Sequence, residues 1–92
     1  MATSSCGGSS FESEAVEAKV ARDAATVVVR NCRNHAAPNE KCASVEELSR
    51  ISPSRWSARI RLFNGRDVCV EINLRRFKRV GDQLRGVDRI AC

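Results

Sequence analysis

At 92 residues the chain is long enough for one small domain and too short for two cores, because a chain of this size buries only roughly 60–65% of its unfolded surface. With 42% apolar and 29% charged residues the composition is globular, and one Trp and three Phe leave the core to aliphatic side chains. No apolar run approaches the roughly 20 residues of a membrane-spanning helix, and the net charge of +5 is concentrated in one half: residues 48–92 carry eleven Lys/Arg against four Asp/Glu, residues 1–47 five against seven.

Met1 to Ser9 is small and Ser/Gly-rich, and reads as a disordered tail ahead of a single α+β domain over residues 10–92. Ser10 to Ala25 predicts an amphipathic helix. Ser9 or Ser10 serves as cap, Glu12 and Glu14 suit the positive end of the dipole, and Val16 and Val20 lie four apart among alanines. The β-branched run Thr26-Val27-Val28-Val29 predicts a buried strand, and Asn31 to Ala43, with three Asn and Pro38, a long loop. Ser44-Val45-Glu46-Glu47 fits a capping box that starts one or two helical turns to Arg50, ended by Ser52-Pro53-Ser54.

From Arg55 the pattern changes to strict alternation. Trp56, Ala58, Ile60 and Leu62 interleave with Arg55, Ser57, Arg59 and Arg61, and after Asn64-Gly65 the alternation resumes at Val68, Val70, Ile72 and Leu74. This predicts a β-hairpin with one wet face. A loop Asn64-Gly65-Arg66 matches apolar residues to apolar ones, pairing Leu62 with Val68 and Ile60 with Val70, and sets Arg59 opposite Glu71. Gly81-Asp82 then breaks the chain, and Leu84, Val87, Ile90 and Ala91 fall at helical spacing despite Gly86. The expected fold is a small antiparallel sheet with this central hairpin, packed by an N-terminal helix and a short C-terminal helix. Its expected core comprises Val16, Val20, Val28, Trp56, Ile60, Leu62, Val70, Ile72, Leu74, Leu84 and Val87.

Five cysteines, Cys6, Cys32, Cys42, Cys69 and Cys92, are odd in number and irregular in spacing, and no apolar leader follows Met1. The economical reading is a set of free thiols in a reducing, cytoplasmic compartment, with a peripheral place at a membrane as an option for the basic half. Cys32, His35 and Cys42, with Cys69 as a fourth, form the nearest approach to a zinc site, but the spacing matches no standard finger or knuckle. Nor does a Cys–His pair there come with an oxyanion-stabilising motif, and no Gly-rich phosphate loop exists. The sequence therefore predicts no metal, no cofactor and no catalysis.

Between the hairpin and Gly81 lies Arg75-Arg76-Phe77-Lys78-Arg79, four cations in five residues, with Phe77 as an apolar anchor. Arg85 and Arg89, four apart, extend it. Arg75, Arg76, Lys78, Arg79, Arg85 and Arg89 are the candidate anion-binding residues, for phospholipid head groups or an acidic protein surface.

The order of these features resembles the kinase-associated C-terminal domain of microtubule-affinity-regulating kinases, which has relatives in checkpoint and calcineurin-B-like-interacting kinases. Residues 56–62 look like that family's first strand and 68–74 its second. Residues 75–79 look like its basic segment, and Gly81-Asp82 its turn before a closing amphipathic helix. The resemblance implies a regulatory module that binds anionic phospholipids or docks on a partner domain. Two rivals come from other classes. One is a nucleic-acid-binding or ribonucleoprotein subunit using the same cations, although only Phe63 and Phe77 could stack on bases. The other is an adaptor pairing through an open strand edge.

Overall fold

The computed structural model describes residues 14–92; the expected tail, the Ser9 or Ser10 cap and Glu12 lie outside them. Helix α1 (Glu14–His35) comes first, followed by a 3-10 turn (Pro38–Glu40) and six strands: β1 (Cys42–Ser52), β2 (Arg55–Leu62), β3 (Asp67–Asn73), β4 (Lys78–Val80), β5 (Gln83–Arg85) and β6 (Val87–Ile90). Strands β1-β2-β3-β6 form one antiparallel sheet in that order, and β4 and β5 form a separate two-stranded ribbon. The chain is thus an α+β domain in which one N-terminal helix packs on a small antiparallel sheet with a central hairpin.

The helix is ten residues longer at its C-terminal end than the spacing of Val16 and Val20 predicts. Its buried stripe is Glu17, Ala21, Ala24, Ala25, Val28 and Val29, at intervals of three and four, so Val28 and Val29 continue the face that the alanines begin. Burial of that face outweighs the strand preference of Val27-Val28-Val29, which belongs to the helix. Val16, expected in the core, is 48% exposed. Small side chains on the stripe let the helix lie close to the sheet, where Trp56, Ala58, Ile60 and Leu62 of β2 and Val70 and Ile72 of β3 complete the core. Ile60 and Ile72 are the most deeply buried, and burying each is worth about 2–3 kcal/mol.

The hairpin keeps the predicted faces in a different register. Ile60 is opposite Val68, Ala58 opposite Val70 and Trp56 opposite Ile72. The loop is Phe63-Asn64-Gly65. Leu62 N–H donates to Arg66 O at 2.8 Å and Gly65 N–H to Leu62 O at 3.0 Å, with Gly65 at φ 88°. That is a three-residue loop with a left-handed residue in last place. Each pairing shifts by two residues from the expected one, so the side chains keep their faces while charged partners change: Arg59 meets Cys69 instead of Glu71.

Two segments expected as helical turns are strands. Ser44 to Arg50 lies within β1, and Ser44 Oγ bonds the Glu46 carboxylate in place of a helix N-terminus. Residues 83–90, expected as the closing helix, form β5 and β6 on either side of Gly86, whose φ is 81°. A Cβ on Gly86 would lie 2.6 Å from Phe77 N and 2.7 Å from Arg76 C, so the position needs glycine for space as well as for conformation. Leu84 and Val87 still pack against the core, as does Phe77.

The four cysteines among the described residues are not free thiols. Cys32 is bonded to Cys42, tying the last turns of α1 to the start of β1, and Cys69 to Cys92, tying the end of the chain to β3. His35 has a different partner, Asp82, with Nε2 3.6 Å from Oδ1.

One buried polar node joins helix, turn and sheet. Glu17, 4% exposed, accepts with Oε1 from Trp56 Nε1 at 2.7 Å, Arg50 Nε at 2.9 Å and the Ser54 N–H at 3.1 Å. Burial acts to raise the Glu17 carboxyl pKa, but the bonds from Arg50, Trp56 and Ser54 and the Arg50 charge outweigh it and hold the group below its ordinary value. Ser54 itself is buried at φ 66° after Pro53, the left-handed third position of a tight turn between β1 and β2.

Candidate anion-binding ribbon

The root of the basic segment hangs from that node. Leu74 N–H donates to Ser54 O at 2.8 Å, and Arg75 Nε to Ser54 Oγ at 3.2 Å. The Asn73 side chain accepts from Arg75 N–H at 3.1 Å and its carbonyl from Arg76 N–H at 3.0 Å, closing the turn that leads into β4. The Asn73 N–H in turn donates to Gly86 O at 2.7 Å, so the chain leaves the sheet and rejoins it at one place. Between those points β4 and β5 run out and back through Gly81-Asp82, with Gly81 at φ 62°.

On this ribbon Lys78 stands directly opposite Arg85, Arg79 opposite Leu84, and Val80 opposite Gln83. Lys78, Val80, Gln83 and Arg85 therefore share one face. Two like charges placed opposite each other repel unless an anion lies between them. Val80, beside them, is 43% exposed. The other face carries Leu84 and Arg79. Arg79 donates from Nε to Gly81 O at 3.2 Å and, with Arg30, Asn31 and Asn34 of α1, lines a small cavity of ≈70 Å³. Asn31 Oδ1 is buried without a hydrogen-bond partner among the described residues.

Of the six candidate cations, five are brought together at this excursion: Arg75, Arg76, Lys78, Arg79 and Arg85, all exposed. None has a carboxylate within 4.0 Å among the described residues. Arg89 is set apart from them on β6, opposite Val70 and on the helix-facing side of the sheet. Arg30 is the cation that sequence reasoning missed, because the helix that carries it was expected to end at Ala25.

The arginines of the sheet are arranged differently. Arg55 Nη2 is 2.8 Å from Glu71, Arg59 Nη2 3.2 Å from Glu47, and Arg61 Nε 3.0 Å from Asp67. The hydrogen bond shared with Arg55 lowers the Glu71 pKa, and the bonds to Glu71 and Asp67 raise those of Arg55 and Arg61. These cations are already neutralised within the fold.

No family model, curated protein or solved structure matches this chain.

Proposed function

We propose that the chain is a non-catalytic docking module whose β4–β5 ribbon seats on an anionic surface, with acidic phospholipid head groups as the partner. The observation that carries this is Lys78 opposite Arg85, neither with a carboxylate partner among the described residues, on a face that also offers the exposed Val80. Cations flanking an exposed apolar side chain suit the boundary between head groups and acyl chains. Nucleic acid is less well served: the exposed Phe63 lies under Arg33, whose Cζ is 5.8 Å from the ring centroid, and Phe77 packs on the core, so among the described residues no aromatic pair stands beside the ribbon for bases. The resemblance to the kinase-associated domain supplies less support, since its closing helix is here two strands. Two disulfides favour an oxidising compartment over the cytosol as the place to look for the partner.

Each ribbon cation near an anionic bilayer is worth about 1 kcal/mol, so replacing Arg76, Lys78, Arg79 and Arg85 by Gln lowers partitioning by roughly three orders of magnitude before screening. Sedimentation with phosphatidylserine-containing liposomes measures this. The expected result is binding that neutral liposomes do not show, that about 0.5 M salt removes, and that the quadruple variant loses while keeping its circular dichroism. Tighter binding to RNA or duplex DNA than to liposomes in the same buffer would replace the lipid with nucleic acid as partner, and an unaffected quadruple variant would remove the ribbon as the site.

A further inference from the structure

The geometry points to a second site, a cleft for a small amphipathic carboxylate, on the helix-facing side of the sheet beside Arg89. Strand pairing places nine residues of β2, β3 and β6 on that side: Trp56, Ala58, Ile60, Leu62, Val68, Val70, Ile72, Val87 and Arg89. Eight are apolar. Arg89 is the one charge among them, is exposed, and has no ion-pair or hydrogen-bond partner among the described residues.

What it faces is open. Val28 of α1 with Ile60, Leu62, Val68 and Val70 of the sheet lines an apolar cleft of ≈190 Å³, walled by the Cys32–Cys42 disulfide and edged by Arg89. It adjoins a polar cavity of ≈310 Å³, which shares Glu40, Leu62, Val68 and Arg89 with it and adds Asn64 and Arg66 from the end of the hairpin. In that cavity Asp67 is taken by Arg61, while Arg66 makes no ion pair among the described residues. Glu40 lines both the cleft and the polar cavity and has no ion-pair partner among the described residues, so Arg66 and Arg89 together outweigh it by one charge. An apolar slot with a few convergent polar groups at its mouth is the usual form of a small-molecule site. The charge decides the ligand class: an aliphatic body in the cleft and a carboxylate at Arg89, which takes that group in a bidentate fork.

Octanoate is the probe, titrated into the disulfide-bonded protein by calorimetry, with octyltrimethylammonium and octanol for comparison. Expected is saturable binding of one octanoate per chain, weakened roughly tenfold or more by Arg89→Gln, with octyltrimethylammonium not bound. Arg85→Gln, on the ribbon, leaves octanoate binding unchanged, and Arg89→Gln leaves liposome sedimentation unchanged, so this site and the docking surface fail or stand separately. The thermal melt of Arg89→Gln stays with the parent, because the side chain is exposed. Non-saturable binding, equal affinity for octyltrimethylammonium, undiminished binding in Arg89→Gln, or an equal loss in Arg85→Gln would each overturn the assignment.

Discussion

The sheet and the ribbon use the same side chain in opposite ways. Arg50, Arg55, Arg59 and Arg61 each have a carboxylate within 4.0 Å, supplied by the helix or by a neighbouring strand. Arg75, Arg76, Lys78, Arg79 and Arg85 have none among the described residues, and two of them face each other across a ladder. Residues 50–61 carry four cations in twelve positions and residues 75–85 five in eleven. What differs is whether the topology carries acids alongside, which β1 and β3 do for β2 and α1 does for β1, and which no described element does for the cations of β4 and β5. A basic stretch is therefore a candidate docking surface when the fold leaves it unpaired, and a lattice of internal ion pairs when it does not.

The largest effect lies on the paired side, at Glu17. Glu17→Ala removes the acceptor of three donors and leaves Trp56 Nε1 and the Ser54 N–H buried without a partner, a loss of about 3–4 kcal/mol. Urea unfolding followed through Trp56 fluorescence measures it, and a loss below about 1 kcal/mol would show that the node contributes little. The node also sets an acid limit. Because the folded pKa of Glu17 lies below its ordinary 4.5, its contribution is complete above the unfolded value and is lost as pH falls through the folded one. Glu71 acts in the same direction. Stability of the parent therefore falls as pH drops below about 4.5, and Glu17→Gln flattens that fall without abolishing it.

The second effect tests how the ribbon is attached. Gly86→Ala places a methyl on the backbone of Arg76 and Phe77 and also requires a left-handed alanine, at a cost of about 2–3 kcal/mol or local detachment of β4 and β5. Gly65→Ala needs the same conformation in open space and costs about 1 kcal/mol. Equal losses at the two positions would mean that the close approach at the ribbon's root is relieved cheaply.

Legibility in the sequence followed the regularity of the strands. The hairpin is two unbroken alternations, so both faces could be read, and a two-residue error in register left them intact. Strand β1 could not be read that way. Its register shifts between Val45 and Glu47 and again between Arg50 and Ser52, which places the half-buried Val45 and Leu48 three apart and imitates a helix behind a capping box. Residues 84–90 misled for a related reason: Leu84, Val87 and Ile90 are three apart because the chain changes strand at Gly86. Cysteine partners depended on these elements. Cys42 meets Cys32 only because β1 starts where α1 ends, a junction expected to be loop. Of the candidate site, composition gave away the cations of 75–79. Their lack of partners, and the separation of Arg89, are properties of strand pairing that no local pattern carries.

The smallest effect is also the most direct test of the contrast, because its sign differs between the two regions. Arg59→Gln on the sheet removes a partner from Glu47 and costs up to about 0.5 kcal/mol. Arg85→Gln on the ribbon removes the charge facing Lys78, and directly opposed like charges cost a few tenths of a kcal/mol, so this variant is stabilised by about that much. Salt separates the two further. Screening weakens an attraction in one place and a repulsion in the other, so both differences from the parent shrink toward zero from opposite sides as ionic strength rises past about 0.5 M. Thermal melts in low and high salt read this directly. A loss of stability in Arg85→Gln at low salt would mean that its guanidinium contributes to the fold, and the ribbon would then belong with the paired arginines rather than with an open anion site.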